Sequence, residues 1–120
     1  MAKDYKELIV WQKAMDLVVE VYQLVKLLPR EEMYALSDQM RRAVISIPSN
    51  IAEGQARNSS KEFIQFLSIA KGSNAEIQTQ LLICTKLRYL NEEQISNAIN
   101  LSYEVGRMIH AITQKLTTNH

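Results

Sequence analysis

The chain has 120 residues, a common size for one domain, with 47% apolar residues but only three Gly and two Pro. So few turn formers exclude a sandwich or a barrel and favour a few long helices in one unit spanning 1–120. With 14 Lys+Arg against 13 Asp+Glu, no overall field announces DNA, a membrane or an acidic partner, and the lone Cys84 excludes a disulfide framework and a multi-cysteine zinc site.

The start, Met1-Ala2-Lys3-Asp4-Tyr5, is polar and has no apolar signal core, and the best apolar run is broken by Glu20 and Gln23. These features, with the unpaired cysteine, predict a soluble cytoplasmic protein without membrane contact.

Helical periodicity appears from about 10 to 28. There Val10, Trp11, Ala14, Leu17, Val18, Val21, Leu24 and Val25 belong to an apolar arc of about 180°. Such an arc is wider than the stripe of about 100° that one small bundle needs. Either the helix is sunk deep in its own core or it offers a second partner surface. The second reading is preferred, with Leu17 and Val21 as interface residues.

Pro29 stops this helix, and Arg30-Glu31-Glu32 form a polar link. A second helix, about 36–53, repeats Leu36, Met40, Ala43, Val44, Ile47 and Ile51, with Pro48 predicting a kink and Gly54 a C-cap. Ser59 and Glu62 fit a capping box that opens a third helix, about 60–90 and the longest of the four. It carries two apolar stripes, one of them including Ile69 and Ile83, which are further interface candidates. Asn91 and Gln94 form the cap of a fourth helix, about 92–116, with Leu90 and Ile95 as a hydrophobic staple and residues from Thr117 to His120 expected to fray. Short links make sequential helices antiparallel neighbours, so the predicted fold is an all-α, up-down-up-down four-helix bundle.

Catalytic chemistry is poorly supplied, and no enzyme, metal or cofactor is expected. The only histidines are His110 and His120, and Arg107 stands where a Glu-x-x-His metal pair would need its glutamate. Ser68 and Lys71 match a serine–lysine spacing without its companion motifs, and Cys84 lies on an apolar stripe, as an inert buried thiol would.

The informative features are polar. Ser46, Asn50 and Glu53 recur along the second helix, while Ser73 and Asn74 interrupt the apolar register of the third beside Gly72, where a neighbouring backbone could approach closely. The sequence predicts that Ser46, Asn50, Glu53, Ser73 and Glu76 meet in a hydrogen-bonded seam that fixes register and assembly. Arg41, Arg42, Arg57 and Lys61 are the candidate phosphate-binding cations. Solubilising charge is the competing account of them.

Tyr5-Lys-Glu-Leu8 and Val10-Trp-Gln-Lys-Ala14 resemble the opening of the small bacterial proteins named after intervening sequences of 23S ribosomal RNA, also called S23-like ribosomal proteins. Leu36-Ser-Asp-Gln39, Arg42-Ala43 and Ser46-Ile-Pro-Ser-Asn-Ile-Ala-Glu-Gly54 carry the most specific part of the resemblance, and Phe63, Phe66-Leu67, Ala70-Lys-Gly-Ser73 and Glu76 continue it. The resemblance implies a four-helix bundle that assembles as a homopentamer and associates with RNA or a nucleic-acid enzyme. A non-enzymatic accessory protein is therefore expected, with a protein-interaction scaffold lacking nucleic-acid affinity as the alternative.

Overall fold

The computed structural model describes residues 4–118. The readings of Met1–Lys3 and His120 fall outside the described residues. Among the described residues there are four α-helices and no strand: α1 (Ile9–Val25), α2 (Leu36–Gln55), α3 (Ser60–Lys86) and α4 (Glu92–Thr118). The helices form a square, α1 against α2 and α4, and α3 against α2 and α4, with α1–α3 and α2–α4 on the diagonals. The result is an antiparallel bundle 47 × 24 × 20 Å.

Each helix boundary has a local cause. Asp4 accepts the amide of Lys6 at 2.8 Å to cap a 3-10 turn over Tyr5–Glu7, which leads into α1. At its far end α1 stops at Val25 instead of continuing to 28. Pro29 disfavours helical backbone at Leu28, and the chain closes with hydrogen bonds from Leu27 to Leu24 and from Leu28 to Val25. Helix α2 runs unbroken through the buried Pro48. The third helix ends at Lys86, four residues earlier than expected, and its 27 residues equal those of α4, so α3 is not the longest helix. Its terminus is a Schellman motif: the amide of Tyr89 donates to Cys84 O at 2.9 Å and that of Arg88 to Thr85 O at 3.1 Å. Arg88 occupies the left-handed position, φ 64°, that glycine usually fills.

The two capping sequences act as expected. Glu62 N donates to Ser59 Oγ at 3.1 Å, although the return bond joins Ser59 Oγ to Glu62 Oε1 and not to the backbone. Asn91 and Gln94 exchange both bonds, at 2.8 and 2.9 Å. Thr117 and Thr118 belong to α4 instead of fraying, with their hydroxyls bonded to Thr113 O and Gln114 O.

The core contains Leu17 and Val21 of α1, Met40, Ile47 and Ile51 of α2, Leu67, Ile77 and Leu81 of α3, and Val105 and Ile109 of α4. Gly54 is not a left-handed cap; it lies inside α2, packed closely against α3. A Cβ there would meet Phe66 Cβ at 2.7 Å and Phe63 Cδ1 at 2.9 Å. The glycine therefore sets the α2–α3 spacing.

Candidate functional site

Leu17 and Val21 correct the expected assembly surface. Both point into the bundle and are fully buried within the subunit, because the square packing of α1 against α2 and α4 covers most of its wide apolar arc. Ile69 and Ile83 differ: they stand on the outer face of α3, 52% and 38% exposed. Exposed with them are Met15 and Val19 on α1, Ile45 on α2 and Leu87 just beyond α3, whereas α4 exposes only Tyr103 among its large apolar side chains.

The polar seam splits. Ser73 Oγ donates to Ser46 Oγ at 2.8 Å, and Asn50 Nδ2 donates to both Ser46 O (2.8 Å) and Ser46 Oγ (2.9 Å). Three of the five residues thus form one network between α2 and α3. Glu53 instead pairs with Arg57 at 3.1 Å, and Glu76 accepts Gln80 Nε2 at 3.3 Å, each along its own helix. Their i,i+4 spacing supplies a nearer partner than the facing helix does. Gln80 keeps a sealed Oε1 without a partner among the described residues. Gly72 is exposed, with nothing within 4 Å of the position a Cβ would take, so no backbone of the subunit approaches it.

A second network escapes the sequence reading. Asn74 Nδ2 donates to Ser102 O at 2.9 Å, Ser102 Oγ donates back to Asn74 Oδ1 at 2.7 Å, and Gln78 Nε2 donates to Ser102 Oγ at 2.8 Å. Both Asn74 and Ser102 are buried. Gly106 leaves room for the amide, since a Cβ there would stand 3.2 Å from Asn74 Nδ2. The signal is the small pair Ser102 and Gly106, one turn apart on the inward stripe of α4.

The four candidate cations are not brought together. Arg41 and Arg42 stand near the start of α2 and Arg57 and Lys61 beyond its end, separated by more than about 20 Å at the helical rise. Arg42 is bound to Asp38 at 3.1 Å and Arg57 to Glu53 at 3.1 Å, and the Arg57 guanidinium also lies 5.0 Å over the Phe66 ring. Arg41 Nη2 donates to Met33 O at 3.3 Å, and Lys61 is exposed.

Elsewhere the chemistry is quiet. His110 is exposed on α4, and Ser68 and Lys71 are exposed on α3. Cys84 is buried against Met40 Sδ at 3.7 Å; burial, and secondarily the charge of Glu32, push its pKa up to about 11. At the end of the bundle Tyr89 OH donates to Glu32 Oε2 at 2.7 Å, tying the α3–α4 link to the α1–α2 link, and this bond raises the tyrosine pKa. Among the described residues no cluster of His, Cys, Asp or Glu could hold a metal, and no helix is long and apolar enough to cross a membrane.

The geometry defines a small antiparallel four-helix bundle stitched by polar pairs on both sides of α3, half-buried toward α2 and buried toward α4. Within that class, the chain belongs to the family of 23S rRNA-intervening sequence proteins, which it matches over residues 6–111. It is similar to the 1.70 Å crystal structure of a protein of unknown function from the S23 ribosomal protein family of Bacteroides thetaiotaomicron VPI-5482. The TM-score is 0.81 at 28% identity, covering 88% of this chain and 98% of that one. The comparison with curated proteins found no match.

Proposed function

We propose that this protein is a non-enzymatic, cytoplasmic bundle that self-associates and serves as an accessory factor for structured RNA or a nucleic-acid-processing partner. The observation that carries the reading is the uneven surface. Met15, Val19, Ile45, Ile69, Ile83 and Leu87, all more than a third exposed, occupy α1, α2 and the α3 side, while the outer face of α4 is polar but for Tyr103. A subunit with such a flank lowers its free energy by covering it with another copy. Five copies is the number that the family resemblance suggests. A ring would repeat Arg41, Arg42, Arg57 and Lys61 around its axis and so multiply two weak cationic clusters. The family's name links its members to 23S rRNA intervening sequences, which favours RNA as the polyanion. The scaffold reading without nucleic acid draws support from the pairing of Arg42 and Arg57 with Asp38 and Glu53.

Catalysis is not part of the proposal, because the Cys84 thiol is buried and His110 is exposed and forms no ion pair among the described residues. Light scattering at micromolar concentration tests self-association: a mass several times 13.8 kDa is expected, dropping when Ile69→Glu and Ile83→Glu are combined. A 13.8 kDa particle at every concentration refutes it. RNA retention that weakens steeply between about 50 and 200 mM salt separates the RNA reading from the scaffold.

A further inference from the structure

A cleft of about 470 Å³ opens where the end of α1 meets the start of α2, a size suited to a small ligand group. Tyr22, Leu28 and Met33 supply apolar and aromatic wall, and Lys26, Arg30 and Arg41 bring three cations to it. No carboxylate lines it among the described residues. Nearby acids are engaged elsewhere. Glu32 accepts from Tyr89 OH and from Leu36 N, and Asp38 is held by Arg42. Lys26 and Arg30 form no ion pair among the described residues. Arg41 is held at the cleft by Met33 O, with only a 3.9 Å contact to Asp38.

The inner wall holds a further polar group. Ser37 is 4% exposed, and its hydroxyl has no hydrogen-bond partner within the described subunit. Yet it is not among the sealed unpartnered atoms, so its oxygen is still reached from the cleft. A buried hydroxyl, a tyrosine ring and three cations, two of them without an ion pair among the described residues, suit a planar ring that carries a phosphate.

We propose that this cleft takes one unpaired nucleotide of a folded RNA. The base lies against Tyr22 and Met33, Ser37 meets a polar edge, and Lys26, Arg30 and Arg41 receive the flanking phosphates. The assignment rests on the nucleic-acid reading above and adds a location to it. Only Arg41 belongs to the cation set read from the sequence. Lys26 and Arg30 lie on either side of Pro29, where helical periodicity gives no guidance. Arginine forks suit phosphate oxygens, and an unstacked base recovers on an aromatic wall the stacking it gives up.

The test measures fluorescence anisotropy of two labelled RNA hairpins, identical except for a single bulged adenosine, at about 50 mM salt and above. The bulged hairpin is expected to bind about tenfold tighter than the fully paired one. Lys26→Ala with Arg30→Ala, both at exposed positions, should abolish that preference and lower the salt slope by roughly 0.7 to 0.9 per cation removed. Tyr22→Leu should abolish the preference with the slope unchanged. Arg107→Ala with Lys115→Ala, both exposed on α4, should leave the preference intact, and circular dichroism checks that every variant is folded. Equal binding of the two hairpins by the unaltered protein, or a preference that survives Lys26→Ala/Arg30→Ala, overturns the cleft while leaving RNA binding standing. Failure of the unaltered protein to bind either hairpin overturns both.

Discussion

Replacing Gly54 with alanine places a methyl group 2.7 Å from Phe66 Cβ, 2.9 Å from Phe63 Cδ1 and 3.3 Å from the Phe63 carbonyl oxygen. Two of these neighbours are fixed to the α3 backbone, so a rotamer change relieves only the Phe63 ring contact. The helices must separate along part of their shared seam. Overpacking of this kind costs about 1–3 kcal/mol, whereas removing a helical glycine returns about 0.8–1 kcal/mol. The steric cost should outweigh the propensity gain by up to about 2 kcal/mol, which lowers the melting temperature by up to roughly 8 °C for a chain of this size. Gly72→Ala is the internal control. It has the same propensity gain and nothing within 4 Å to strike, so it should stabilise the subunit by up to about 1 kcal/mol. Thermal and urea unfolding of the two variants should therefore move in opposite directions. A Gly54→Ala protein that melts at or above the unaltered protein refutes the close-packing argument.

Two further outcomes follow from the link between α3 and α4 and its surroundings. Arg88→Gly should raise stability by about 0.5–1 kcal/mol in urea titration, because φ 64° is unfavourable for a side chain while the Schellman bonds remain available to glycine. Stability should also fall as the pH rises from 9 toward 11. Cys84 is held protonated in the folded state up to about 11 against 9.0 when free, and the hydrogen bond to Glu32 raises the Tyr89 pKa in the same direction. Native protein then holds more protons than unfolded protein across that window, so alkalinity favours unfolding. Melting curves from pH 8 to 10.5 should show this, with a smaller decline in Cys84→Ala.

Much of the fold is legible in the sequence because helical periodicity, capping boxes and prolines act locally. Ser59–Glu62 and Asn91–Gln94 mark two starts correctly, since each requires only residues three apart. Periodicity misplaces the end of α3 because the stop signal is an arginine in a left-handed conformation, and Arg88 gives no warning of that. Gly54 resembles a terminator for the opposite reason. Glycine is equally at home at a helix end and under a neighbouring helix, and only the facing Phe63 and Phe66 decide between them.

The surface is harder to read, because periodicity assigns a residue to a face without saying what covers that face. Leu17 and Val21 share an apolar arc with Met15 and Val18, yet the square packing buries the first two and leaves Met15 exposed. The same limit affects the polar residues. Ser46 and Ser73 face one another across two helices, while Glu53 and Glu76, at similar spacing, turn to i,i+4 partners. Cross-helix pairing goes here with short side chains: Ser46 and Ser73 meet though only half-buried, while the buried Gln80 turns to Glu76 on its own helix. Ser46 with Ser73, and the buried Asn74 with Ser102, bond across to the facing helix, whereas Asn50 bonds one turn back to Ser46 and a long carboxylate at the rim finds a partner on its own helix. Side-chain reach therefore separates two roles that the sequence merges. Ser46 with Ser73, and Asn74 with Ser102, hold the register of α3 against its neighbours, and Asn50 braces Ser46 from within α2. Glu53 and Glu76 remain exposed at the surface, each held by a partner one turn along its own helix.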